Sequence, residues 1–127
     1  MKIDTKPLGI NKESVNVLGS WGQVDQADEL MIDLYTIDAN ADDIVKGLQA
    51  ERKMMKSAME FFKNIFGLTS KQVEKIFNEV DSQTMNLYVS YACGMVKGAP
   101  YQEFSAFKES VSGDSESPKV ESETPKE

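Results

Sequence analysis

One long apolar face governs what this chain can become. Between residues 41 and 66, the positions Ile44, Leu48, Met55, Ala58, Met59, Phe62, Ile65 and Phe66 fall within an arc of roughly 120° when each residue turns the chain by about 100°. That spacing predicts an amphipathic helix of about seven turns, with this face in the core. Asp42 and Asp43 stand in the expected first turn, where carboxylates suit the positive end of the helix dipole. Gly67 stands just past the end, where a left-handed residue is usual. Arg52, Lys53, Lys56 and Lys63 lie mainly off the apolar face and read as a solvated surface among acidic neighbours.

The flanking segments extend the helical pattern. Thr69-Ser70-Lys71-Gln72 fits a capping box, in which a Thr hydroxyl and a Gln side chain satisfy free amides at a helix start. The next helix then buries Val73, Ile76, Phe77 and Val80. Asp81 or Ser82 opens a further helix with Met85, Tyr88, Val89, Ala92, Met95 and Val96 on one face, closed by Gly98 and Pro100. Phe104 and Phe107 suggest a short fifth helical turn over the core. Upstream, Ala27, Leu30, Met31, Leu34 and Tyr35 recur at three- and four-residue steps, with Asp25 as the expected cap and Asp28 and Glu29 in the first turn. Residues 1–24 lack this period. There Val15 and Val17 alternate before the turn-like Gly19-Ser20-Trp21-Gly22, which points to a short strand or hairpin, with Ile10 and Trp21 as lids on the core.

The expected fold is mainly α, a small bundle or spiral of four to five helices with a short N-terminal hairpin. Residues 1–24 form the extended segment and 25–108 the helical domain. Residues 109–127 hold six acidic and two basic side chains, five Ser and only two apolar residues, Val111 and Val120, so a disordered acidic tail is expected there.

Composition removes whole classes of function. Among 127 residues, 14 Lys and Arg against 21 Asp and Glu leave a net charge of −7, which disfavours nucleic acid and anionic membrane as partners. No apolar run is long enough for a membrane span, and the N-terminus has no apolar stretch resembling an export signal. Histidine is absent, and with it the usual general base and neutral metal ligand. The single Cys93 has no partner for a disulfide, lies inside an expected helix and reads as a packing residue, compatible with a reducing cytoplasm. Asp38, Asn40 and Asp42 share the opening spacing of a calcium loop, but Asp43 stands where that loop needs glycine and Gln49 where it needs a bidentate carboxylate; helix capping is the better reading. No phosphate-cradling glycine pattern occurs. No catalytic residue, cofactor or metal site is expected, and the chain reads as a binding or structural protein rather than an enzyme.

Four apolar residues lie beside the main stripes: Met54 and Phe61 on the flank of the long helix, and Leu87 and Tyr91 opposite the main face of the helix after Asp81. Two readings stay open. Either these helices are buried on two sides, or the four residues form a surface for another polypeptide, for which Met, Phe and Tyr offer large and adaptable contacts. Seven Met in the chain suit the second reading.

Residues 61–98, FFKNIFGLTSKQVEKIFNEVDSQTMNLYVSYACGMVKG, resemble the small tail assembly chaperones of long-tailed bacteriophages. The likeness lies in the aromatic-rich helix end, the Gly67-Leu68-Thr69 link, the helix beginning Lys71-Gln72-Val73-Glu74-Lys75-Ile76 and the last helix ending in glycine. Asp28-Glu29-Leu30-Met31-Ile32-Asp33-Leu34 is similar to the segment leading into the first helix of such proteins. The resemblance implies a helical, non-catalytic protein of the host bacterial cytoplasm. It would bind the tape-measure protein, help recruit tail-tube protein, and leave before the virion is mature. It also implies, in many members, a longer frameshifted form. The patches of Met54, Phe61, Leu87 and Tyr91 could equally serve self-association as a homo-oligomer, and sequence does not separate the two uses. A structural tail or neck component and a small acidic regulator are the competing functions.

Overall fold

The computed structural model describes residues 1–116. Two short strands, β1 (Lys2–Asp4) and β2 (Ser14–Asn16), pair antiparallel with Ile3 opposite Val15, and a 3₁₀ turn at Lys6–Leu8 lies between them. Five helices follow among the described residues: α1 (Trp21–Ala39), α2 (Ile44–Phe66), α3 (Ser70–Glu79), α4 (Ser82–Val96) and α5 (Phe104–Glu116). The mainly helical fold with a hairpin at its start is the expected one.

Local chemistry sets most of the boundaries. Asp43 caps α2 by accepting the Lys46 amide at 3.1 Å, and Gly67 ends it at φ +63°. Thr69 and Gln72 form the reciprocal capping box of α3. Asp81 caps α4, accepting from the Thr84 amide at 3.0 Å and its hydroxyl at 2.8 Å; these bonds hold its carboxyl below the usual range. α1 starts a full turn before the expected Asp25 cap. Ser20 and Gln23 form a second capping box, in which the Gln23 side-chain oxygen also accepts the Gly19 amide at 2.7 Å. Asp28 thereby falls beyond the first turn, where it meets Lys97, the residue that ends α4, at 2.5 Å.

α4 is the axis of the core. Its buried residues Tyr88, Val89, Tyr91, Ala92, Cys93, Met95 and Val96 cover most of its circumference. An aromatic cluster joins it to its neighbours: Tyr88 lies 5.4 Å from Phe62 of α2, 5.4 Å from Tyr91 and 5.4 Å from Phe104 of α5, and Tyr91 lies 5.6 Å from Phe107. α1 and α2 pack as a helical hairpin beside this axis.

The structure corrects several expectations. Met54, Phe61 and Tyr91 are buried and Leu87 is half-buried against the core, so the four do not form a spare surface. The physical reason is that α2 is covered on two sides, by α4 and, along its flank, by α1. Buried Asp33 of α1 accepts from Lys53 Nζ at 2.5 Å and Ser57 Oγ at 2.8 Å, which turns the Met54 and Phe61 flank inward. Conversely, the N-terminal half of the expected core face is outside, with Ile44 78% and Leu48 55% exposed. Nothing packs on it there, because α3 has 10 residues and α2 has 23. Phe77, expected in the core, is half exposed for the same reason. Trp21 is 94% exposed and is no lid, whereas Ile10 packs against the core. α5 runs from Phe104 to Glu116; of the expected acidic tail, residues 117–127 lie outside the described residues.

Candidate functional site

The short α3 leaves a gap. Val80 and Asp81 adopt extended backbone between α3 and α4, so the chain turns a corner there instead of continuing one helix. Phe77 and Val80 on one side of this corner, Met85 and Val89 on the other, and Met54, Met55, Ala58 and Met59 of α2 enclose an open groove of about 280 Å³. Its lining is apolar apart from Ser82 and Asn86. Four of its side chains are Met, whose unbranched thioethers repack readily against differently shaped apolar partners.

The groove does not stop at its own ends. Ile44, Leu48, Met55 and Met59 fall within an arc of about 60° on α2, so the exposed row at the start of the helix runs straight into the groove, over roughly 22 Å. Beside that row, on the side away from the core, stand Arg52, Lys56 and Lys63. Among the described residues none of these three forms an ion pair; Lys63 Nζ meets only the Ser70 hydroxyl, at 3.2 Å. Lys53, on the next row round, is held by Asp33, and that bond raises its pKa.

A second polar assembly is buried and serves cohesion. Asp4 is 1% exposed, and its carboxylate accepts the Lys6 amide at 3.0 Å and the Phe104 amide at 2.9 Å, so a residue of the hairpin caps the start of α5. Tyr88 donates its hydroxyl to Asp4 O at 2.5 Å. Tyr91 accepts the Asp4 amide at 3.1 Å and donates to Gln102 O at 2.7 Å. Burial pushes the Tyr91 phenol up to about 12 and the Tyr88 phenol further. Cys93 is buried with its thiol beside Ala27 O at 3.6 Å, and burial pushes that thiol up to about 12; it packs as a core side chain. In the calcium-like segment, Asn40 ends α1 by donating to Thr36 O at 2.9 Å and Asp43 starts α2. Among the described residues no group of three His, Cys, Asp or Glu side chains is placed to hold a metal ion.

The four residues singled out from sequence are therefore dispersed. Met54 lies on the groove floor, Phe61 faces Gln26, Glu29 and Leu30 of α1, Tyr91 locks the hairpin to α5, and Leu87 packs on the core edge. Sequence reasoning missed Phe77 and Met85 as groove walls, and assigned Ile44, Leu48, Met55 and Met59 to the interior. The available signal was length: the ten-residue helix allowed between the Thr69 and Asp81 caps is too short to cover α2.

The sequence model of the family described as phage tail assembly chaperone proteins (TAC) matches residues 1–111, from the hairpin into α5. No curated protein and no solved structure matches the chain.

Proposed function

Because the chain belongs to the phage tail assembly chaperone proteins, whose family model spans residues 1–111, we propose that its groove holds an apolar helix of the tape-measure protein during tail assembly. One observation carries this reading: a Met-lined groove, open to solvent, is continuous with an exposed apolar row on the longest helix. A helix laid in such a groove buries its apolar face with little directional demand, and its affinity derives from apolar area at about 25 cal/mol per Å² before ordering costs. The contact needs no covalent chemistry and stays reversible, as a factor that works in the host cytoplasm and leaves the finished tail requires.

Recruitment of tail-tube subunits is assigned to a separate face. Trp21, Ile32 and Tyr35 fall within an arc of about 60° on the outer side of α1, all exposed. A protein that bridges two partners needs two such faces, and a second copy of the chain is the competing occupant of this one.

Co-expression with the tape-measure protein of the same phage tests the reading. Met59→Asp combined with Phe77→Asp changes two side chains at the groove surface, so helical circular dichroism is retained while co-purification is lost. Undiminished co-purification refutes the groove. Abundant peptides of this chain in purified virions refute its departure and favour a structural tail component.

A further inference from the structure

Arg52, Lys56 and Lys63 are out of place in a chain of net charge −7. They occupy one row of α2, four and then seven residues apart, immediately beside the apolar row of Ile44, Leu48, Met55 and Met59. Arg52 and Lys56 are exposed and Lys63 half-buried, and among the described residues no carboxylate pairs with any of them. The basic side chains with structural work are others: Lys53 ties α2 to Asp33, Lys97 ties α4 to Asp28, and Lys6 meets Glu103.

We infer that the occupant of the groove is an amphipathic helix whose apolar face is bordered on one side by a row of carboxylates that meets Arg52, Lys56 and Lys63. The inference rests on the reading that the groove takes a client helix, and it adds the chemistry that sets orientation and selects the segment. The apolar row supplies contact that many greasy helices could satisfy. The basic row lies along one side only, so it fixes which way round the helix sits, and it discriminates against helices bordered by Lys or Arg. About four turns of client match the roughly 22 Å of apolar row, with acidic residues spaced four and seven apart along one edge.

The test uses the full chain and the tape-measure protein of the same phage, co-expressed and then titrated against salt. Three forms are compared: the native protein, the triple variant Arg52→Glu, Lys56→Glu, Lys63→Glu, and the groove variant Met59→Asp. Charge reversal weakens binding by about tenfold or more at low salt, and the gap between it and the native protein narrows as salt rises. The native complex itself weakens with salt. Equal binding by the triple variant and the native protein, with loss on Met59→Asp, overturns the charged-edge inference and leaves the groove reading intact. Full binding by Met59→Asp overturns both. Because a misfolded triple variant would also lose binding, the salt response of the native complex is an independent arm: affinity unchanged between low and high salt overturns the inference by itself.

Discussion

Removing the Asp4 carboxylate should undock α5. In Asp4→Ala, the amides of Lys6 and Phe104 lose their acceptor, and the Phe104 amide is buried where water cannot replace it. A buried donor left unpaired costs about 1–3 kcal/mol, and bonds to a charged acceptor lie at the upper end, so the two together cost about 3 kcal/mol. That is a large share of the roughly 5–15 kcal/mol that holds a domain of this size together. It corresponds to a fall of about 12 °C in melting temperature. Asp4→Asn keeps one acceptor oxygen but turns an NH₂ group toward one of the donors, so its loss should be smaller yet clearly measurable. Urea unfolding followed by circular dichroism gives the total. Hydrogen exchange gives the location: the Phe104 amide should exchange far faster in the variant, while the α1–α2 pair, to which the Asp4 carboxylate makes no hydrogen bond, keeps its protection. An Asp4→Ala protein within about 0.5 kcal/mol of the native one would refute the argument, since that is the range of changes away from any such feature.

Phe61→Asp should abolish the fold as well as any partner binding, because a carboxylate would enter a site only 1% exposed; retained helical circular dichroism would contradict the packing described. Stability should fall as pH rises above about 9. Cys93 and Tyr91 are held protonated in the folded protein up to about 12, against 9.0 and 10.0 for their ordinary values, so the unfolded chain releases protons first and gains free energy over that interval. Urea midpoints at pH 8 and pH 10.5 check this, and an unchanged midpoint would count against it. By the same burial, the Cys93 thiol should resist alkylation at pH 8 in the folded protein and react promptly in urea; equal rates would mean the site opens freely.

Much of the fold was legible because local chemistry wrote it twice. Thr69 with Gln72, Asp81 before Thr84, and Gly67 after Phe66 each combine a cap with a change of hydrophobic pattern, and each boundary stands where that combination puts it. The same kind of signal at Ser20 and Gln23 was obscured by Gly19 and Gly22, which read as a turn. What sequence could not show was which arc of α2 faces inward. Its apolar residues span both a buried sector, with Met54, Ala58, Phe61, Phe62 and Ile65, and an exposed row, with Ile44 and Leu48. Periodicity fixes relative angles, and only tertiary contacts, here Asp33 with Lys53 and Ser57, fix the rotation of the helix as a whole. The Asp4 assembly was equally hidden, since its partner amide at Phe104 is 100 residues away in the chain.

The distribution of burial along α1 and α2 bears directly on how the groove can work. Buried positions end at Asp33 in α1 and resume at Met54 in α2, so the intervening turns project beyond the core as an arm held mainly by half-buried Leu34 and Ile37 and by the Asp33 pairs at its base. Helical turns without a core of their own are the weakest part of such a structure. Yet this arm carries Ile44 and Leu48, the outer half of the apolar row. On the proposed reading, a client helix lying along the row would supply the packing that the arm lacks, so binding and ordering of the arm reinforce each other. Exposing those residues in the free protein invites self-association, and the net charge of −7 opposes it by long-range repulsion between copies. On the same reading, a basic row beside the greasy one works within that constraint: it leaves the overall repulsion in place while making the groove locally attractive to carboxylates.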